Sequence, residues 1–145
     1  MRDIKQIVVH CADTPPSMDI GAKTIRDWHV NDNGWADIGY HYVIRRNGVI
    51  EKGRDLDGDG NVDEEVGAHA YGFNKDSIGV CLIGGKGKDG KADANFTVEQ
   101  YITLAILVRN KLEEYPGSKV VGHRDLSDKP CPGFDTIAFF ANITD

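Results

Sequence analysis

The sequence predicts a single α/β domain. At 145 residues, 40% of them hydrophobic, the chain is long enough for one domain with a substantial core and too short for two. Residues 4–10 and 77–83 are rich in isoleucine and valine, which is typical of strands covered on both faces. Helical patterns begin at Thr24 and at Thr97, so strands and helices alternate along the chain.

The remaining elements follow from local signals. Ile25, Trp28 and His29 share one face of the first helix, which should end near Asn33 and Gly34. The longest helix opens with a capping box at residues 97–100 and ends at a Tyr-Pro-Gly turn. The predicted apolar stripe of this helix consists of Tyr101, Ala105, Val108 and Leu112. A short strand at 119–121 and a short terminal helix are predicted after it.

A β-hairpin is predicted between the first helix and the acidic part of the chain. In residues 40–46, aromatic and β-branched side chains alternate with side chains of other types. The predicted second strand, residues 49–51, follows Asn47 and Gly48. An Asn-Gly pair between two such runs favours a type I′ turn, in which both central residues have positive φ.

Composition excludes several classes of function. The formal net charge is −6 and the basic residues are scattered, which argues against nucleic acid or membranes as partners. No apolar run is long enough to span a membrane, and the N-terminus lacks a signal-peptide pattern. We therefore expect a protein made in the cytoplasm, and a monomer. The three cysteines cannot all pair with one another, which favours a reducing compartment with a thiol on a metal.

The stretch at residues 122–134 carries the strongest chemical signal. It contains His123 and Cys131, which are ligands that zinc prefers, and Lys129 two residues before the thiol. Prolines on both sides of Cys131 stiffen this backbone. Catalytic zinc usually takes three protein ligands, and His10 is the best third candidate because it ends a buried strand, as His123 does.

Other readings of these residue types stay open. Cys131 and His123 are also suited to nucleophilic thiol catalysis, in which case no metal is needed. His41 is a weaker ligand candidate, His29 is interpreted as structural, and Cys81 as a buried core thiol. Cys11 is either an alternative ligand or a core thiol, and strand alternation, which turns it away from His10, favours the core. His69 lies in a glycine-rich loop with Asn74, where substrate contact is the favoured interpretation.

The acidic stretch at residues 55–65 resembles half of a calcium-binding loop. Asp55, Asp57 and Asp59 alternate and are followed by Gly60 and Asn61, as in the front half of an EF-hand loop. The back half does not match, because the position of the bidentate glutamate is a valine. The alternatives are a calcium site at these three aspartates and Asn61, or a plain solvated loop.

Five blocks of sequence together carry a family resemblance. They are V-V-H-C-A-D-T near residue 10, G-Y-H-Y-V-I-R-R-N-G at 39–48, G-A-H-A-Y-G-F-N at 67–74, S-I-G-V-C-L-I-G-G at 77–85, and G-H-R-D…K-P-C-P-G-F-D at 122–135. This set resembles the zinc-dependent N-acetylmuramoyl-L-alanine amidases of the bacteriophage lysozyme type, relatives of the peptidoglycan recognition proteins. The blocks keep their order along nearly the whole chain. The acidic stretch looks longer than the link usual in the phage members.

This resemblance implies a central mixed β-sheet flanked by helices and a groove for peptidoglycan. The implied reaction is hydrolysis of the amide between N-acetylmuramic acid and L-alanine, by one catalytic domain spanning residues 1–145. Carried over by position, the zinc ligands are His10, His123 and Cys131, the catalytic residues Tyr40 and Lys129, and the groove residues His69 and Asn74. The alternative is a module that binds peptidoglycan without cutting it. The protein would reach the wall after release or export.

Overall fold

A five-stranded mixed sheet forms the centre of the fold. The structure is a computed structural model, and it describes residues 2–143. The strands are β1 (Gln6–Cys11), β2 (Tyr42–Ile44), β3 (Ile50–Lys52), β4 (Ser77–Leu82) and β5 (Lys119–Gly122). Their order across the sheet is β3-β2-β4-β1-β5, in which only the β2–β3 pair is antiparallel. The predicted α/β class is confirmed.

Three α-helices cover the sheet. They are α1 (Ala22–Asp27), α2 (Val98–Glu114) and α3 (Thr136–Ile143). Ile7 and Val9 of β1 belong to a core that includes Leu104 and Val108 of α2 and Phe140 of α3. A second core joins α1 to the opposite face of the sheet through Ala22, Ile25, Val43, Cys81 and Ile83. Both faces of the central strands are therefore buried, as their isoleucine and valine content predicts.

Three local predictions were wrong in detail. Asn47 does not have a positive φ, because the hairpin uses a turn closed by a bond from Gly48 N–H to the Arg45 carbonyl, with Gly48 alone at φ 87°. The first helix begins at Ala22 and changes after Asp27 to a π-helical turn at Trp28–Asp32. The buried face of α2 is centred on Leu104, Leu107, Val108 and Lys111 rather than on Tyr101 and Ala105.

The acidic segment is anchored to the fold at its far end. Val62 and Asp63, in the short 3₁₀ turn Val62–Glu64, are buried. Asp63 accepts hydrogen bonds from Lys111 and Tyr115 at the end of α2 and from Tyr42 of β2. The segment is therefore a solvated loop only up to Asn61.

No helix within residues 2–143 is long and apolar enough to cross a bilayer.

Candidate active site

Two neighbouring parallel strands bring His10 and His123 together. β1 and β5 pair in parallel, with Val9 opposite Gly122. The residue that follows each member of this pair is a histidine, so both imidazoles lie at the carboxyl ends of adjacent strands. Their ring centroids are 4.4 Å apart. The sequence-based expectation that the two strand ends converge is confirmed.

Cys131 completes a cluster of three metal-binding side chains. One ligand atom from each of His10, His123 and Cys131 lies within 4.8 Å of the other two. The backbone N–H of Cys11 donates a hydrogen bond to the Cys131 Sγ at 2.8 Å, which holds the sulfur beside β1. Two imidazoles and one thiolate suit zinc, and three protein ligands leave a fourth position open. The residues present therefore fit a catalytic zinc ion.

The protonation of these groups agrees with a metal site. Burial, followed by the neighbouring histidines, lowers the pKa of His10 well below its ordinary value. Burial and the Lys129 charge lower the pKa of His123. Both imidazoles are therefore neutral near pH 7, which is the form that binds metal. A side-chain hydrogen bond with the Cys11 thiol, followed by burial, raises the pKa of Cys131, and this outweighs the Cys11 backbone N–H, which lowers it; the thiol is therefore a poor nucleophile unless a cation is bound.

The cluster lies in a cavity of about 860 Å³. Tyr40 and Lys129 line this cavity together with the three clustered residues. A second hollow of about 450 Å³ shares His69, His123 and Lys129 with it. The two hollows therefore adjoin each other and together make up a groove, with His123 of the cluster in the lining that they share.

Tyr40 contributes a hydroxyl group to the site. Its ring centroid is 5.0 Å from that of His10, and it precedes β2 rather than lying in it. Burial raises the pKa of Tyr40 well above its ordinary value, and nearby thiols add to the effect. The hydroxyl therefore stays protonated at working pH.

His69 and Asn74 lie beside the groove but are used within the protein. His69 Nδ1 is 2.8 Å from His10 Nε2, and His69 Nε2 is 3.1 Å from Ser77 Oγ. Asn74 Oδ1 accepts hydrogen bonds from the N–H groups of His69 and Ala70. Both side chains line the second hollow. Substrate binding by these two residues stays a prediction.

His29 and Trp35 are cavity residues that sequence reasoning missed. His29 Nδ1 accepts the Gly39 N–H at 2.9 Å, which agrees with the structural role predicted for it, but the side chain also lines the cavity. Its ring packs on Trp35, 4.6 Å away between centroids. For His29 the available signal was its place beside Trp28 on one face of the first helix, which was interpreted as packing alone.

His41 is not part of the metal cluster. The residue is fully buried, its Nδ1 accepts the Gly79 N–H, and its Nε2 bonds to the Glu65 carbonyl. The weaker interpretation of His41 as a ligand is not supported, because its nitrogens are taken up by these backbone groups and it does not share the cluster of His10, His123 and Cys131. Cys81 and Cys11 are buried, as predicted.

The acidic cluster is separate from the cavity. Carboxylate oxygens of Asp55, Asp57 and Asp59 lie within 4.8 Å of one another, while Asn61 donates its backbone N–H to Asp59. Asp57 and Asp59 are exposed, and such groups are common without a bound ion. Calcium binding there stays a prediction.

Comparison with known proteins places this geometry in a family. The model of the N-acetylmuramoyl-L-alanine amidase family matches residues 1–134. The chain belongs to this family, and its prediction as a peptidoglycan amidase is confirmed. It is 46% identical to the endolysin of Enterobacteria phage T3 and 45% identical to that of Escherichia phage T7. Each alignment covers 89% of this chain and 80% of the endolysin.

Solved structures agree on the fold. An N-acetylmuramoyl-L-alanine amidase, LysC from Clostridium intestinale URNW, superposes with a TM-score of 0.77 at 26% identity, over 99% of this chain and 87% of that one. The peptidoglycan recognition protein PGRP-SA of bumblebee superposes with a TM-score of 0.75 at 23% identity, over 98% of this chain and 83% of that one. The second likeness concerns the fold alone.

Proposed function

We propose that this amidase is zinc-dependent and cleaves the bond between the lactyl group of N-acetylmuramic acid and L-alanine in peptidoglycan. The observation that carries the proposal is the convergence of His10, His123 and Cys131 in the cavity that Tyr40 and Lys129 line. Membership of the amidase family supports the choice of substrate. Residues 1–145 would act as one catalytic unit.

His10, His123 and Cys131 would hold the zinc ion. Bound there, zinc supplies a Lewis acid and a water molecule that is acidic enough to react near neutral pH. The thiolate of Cys131 carries the negative charge among the three ligands, and the Cys11 N–H stabilises that charge by a direct hydrogen bond.

Lys129 and Tyr40 would act on the substrate. An amide is a poor electrophile, so negative charge that develops on its carbonyl oxygen must be stabilised. Lys129 carries a compact cation on the cavity wall and would donate to that oxygen. Tyr40, held protonated by burial, would donate its O–H to orient the attacking water or to relay a proton.

The test combines metal content with product analysis. Purified protein is expected to contain about one zinc per chain and to release stem peptides with a free N-terminal L-alanine from muropeptides. Chelation should abolish cleavage, and added zinc should restore it. Mass spectrometry of the two products identifies the bond cut.

Two other outcomes would replace the proposal. Cleavage that persists without zinc would indicate a thiol hydrolase using Cys131 and His123. Zinc without cleavage would indicate a peptidoglycan-binding module. Retention of the thiol ligand favours the enzyme, because loss of that ligand is the change expected in a module that only binds.

Finer predictions accompany this function. A calcium ion at Asp55, Asp57 and Asp59 is supported by their convergence and by the buried Asp55 Oδ1, which has no hydrogen-bond partner among the described residues. The chain would act as a monomer on the cell wall, without nucleic acid or membrane partners, after synthesis in the cytoplasm.

A further inference from the structure

A chain of three buried side chains leads from the metal cluster into the sheet. His10 Nε2 is 2.8 Å from His69 Nδ1, and His69 Nε2 is 3.1 Å from Ser77 Oγ. Ser77 is the first residue of β4 and is fully buried, while His10 and His69 are 1% and 8% exposed. The chain therefore runs largely through the protein interior, although His10 and His69 also line the groove.

Only one direction of these hydrogen bonds leaves His10 able to bind a metal. If the Ser77 hydroxyl donates to His69, then His69 must donate from Nδ1 to His10 Nε2. The His10 proton is then on Nδ1, and neither nitrogen of His10 has a free lone pair. In the opposite direction, His10 donates from Nε2, His69 donates from Nε2 to Ser77, and the Nδ1 lone pair of His10 is free.

We propose that His69 is a positioning residue. Its Nδ1 accepts a hydrogen bond from the Nε2–H of His10 and thereby fixes the ring orientation and the tautomer of that ligand. A metal-bound histidine commonly donates its second N–H to such a partner, and loss of the partner weakens metal binding. Ser77 fixes His69 in turn, because its Oγ accepts a hydrogen bond from the Nε2–H of His69. The inference rests on the proposed function, since it concerns a ligand of the zinc site.

The surroundings of His69 are shaped to hold this ring. A Cβ atom on Gly79 would lie 2.5 Å from His69 Cγ, and one on Gly67 would lie 2.8 Å from His69 Cδ2. Asn74 Oδ1 fixes the backbone by accepting the N–H groups of His69 and Ala70, both at 2.9 Å. Two of the sequence blocks, residues 67–74 and 77–85, therefore contribute to one structural task.

The geometry leaves His69 little capacity for polar contact with a substrate. Both ring nitrogens are within hydrogen-bonding distance of protein groups, so the ring offers the groove a carbon edge only. A substrate contact of that kind affects KM. A positioning role instead affects zinc affinity and kcat.

The test compares His69→Leu, His69→Gln and Ser77→Ala with wild type. Zinc affinity is measured by competition with a chromogenic chelator, and kcat and KM are measured on muropeptides. His69→Leu should bind zinc roughly 10- to 100-fold more weakly, with lower kcat and little change in KM. His69→Gln should recover part of the affinity, because its amide oxygen can accept from His10. Ser77→Ala should show a smaller loss in the same direction.

His41→Gln is the matched control. His41 is as buried as His69 and its ring packs against it at 5.5 Å, but its nitrogens bond to backbone groups of Gly79 and Glu65. The control should lose stability without losing zinc affinity. Circular dichroism establishes that each variant is folded.

A second measurement does not depend on zinc. Long-range ¹H–¹⁵N NMR spectra of the metal-free protein should show the His10 proton on Nε2 in wild type and a mixture of tautomers in His69→Leu. Wild-type zinc affinity in His69→Leu, together with a raised KM, would overturn the inference in favour of substrate contact. If wild type binds no zinc, the proposed function fails, and the NMR result still decides the His10–His69 bond.

Discussion

Asp63 and Lys111 form a buried ion pair, with 2.5 Å between Oδ2 and Nζ. Their side chains are only 6% and 11% exposed, and Tyr42 and Tyr115 donate to the same carboxylate. Burial alone would raise the pKa of Asp63, but these hydrogen bonds outweigh it and lower the pKa. The pair fastens the end of the acidic segment to α2.

Asp63→Asn should destabilise the protein by about 3 kcal/mol at pH 7, because it leaves the buried Lys111 ammonium with only the more exposed Glu114 carboxylate, 3.1 Å away, as a counter-charge. The pKa of Asp63 is depressed in the folded state. The stability that its carboxylate contributes is therefore fully present above the unfolded-state pKa of about 3.9 and is lost as pH falls through the folded-state pKa. Urea unfolding at several pH values measures it. The double variant Asp63→Leu, Lys111→Met is the control, and it should recover most of the loss. Equal losses in both variants would contradict the argument.

His41 should make stability rise with pH between about 4 and 6.5. Burial first, then the Arg2 and Arg54 charges, lower its pKa to about 4, against the opposing effects of the Glu65 carbonyl and Asp63. The unfolded chain therefore binds a proton that the folded chain excludes, which costs about 3 kcal/mol at the acid end of this range. In His41→Gln the slope of unfolding free energy against pH should be flatter. If the slope of unfolding free energy against pH is the same in His41→Gln as in wild type, His41 is not the source of the pH dependence.

Lys129→Ala should keep zinc and lose activity. The change removes the cation expected to stabilise the developing oxyanion, so kcat should fall roughly 100- to 1000-fold. Lys91→Ala removes another cation that lines the same cavity and should retain most of the activity. Elemental analysis and muropeptide kinetics are measured for both variants. Loss of zinc from Lys129→Ala would count against the catalytic role.

Tyr40→Phe should fold and bind zinc normally, because only a hydroxyl is removed. Loss of a donor that orients water or relays a proton should reduce kcat roughly 100-fold. Since the pKa of Tyr40 is raised well above its ordinary value, its titration should not limit the rate at alkaline pH. Full activity in Tyr40→Phe would exclude it from the chemistry.

Calcium should raise the melting temperature without changing kcat, since the acidic cluster lies outside the cavity. Replacing Asp57 and Asp59 by asparagine should remove the calcium-dependent shift. Both are exposed, so the fold itself should tolerate the change. A melting temperature that calcium and chelators leave unchanged would end the calcium interpretation.

The metal cluster was predictable because its signals are local. His10 and His123 each follow a run of buried β residues, and parallel strands place such ends at one edge of a sheet. Cys131 lies between two prolines in a stretch with an evident chemical composition. The capping box at Thr97 was likewise confirmed, since it depends on neighbouring residues only.

The rest depends on contacts between distant residues. His69 lies between His10 of β1 and Ser77 of β4, two strands that pair in parallel, and no local pattern reveals these contacts. Lys111 and Asp63 are 48 residues apart, and each is of a type usually found in solvent. The π-helical turn after Asp27 was not predicted, because the sequence there supports an ordinary helix.

The hydrogen bond between Cys11 and Cys131 joins residues 120 positions apart. An ion held by His10 and Cys131 would therefore cross-link the first strand to the segment before the last helix. Because such an ion would bind the folded chain and not the unfolded one, its binding free energy would add directly to the free energy of unfolding. One ion would then serve both as catalyst and as cross-link, so that removing it would end catalysis and weaken the attachment of Cys131 to β1 in the same step.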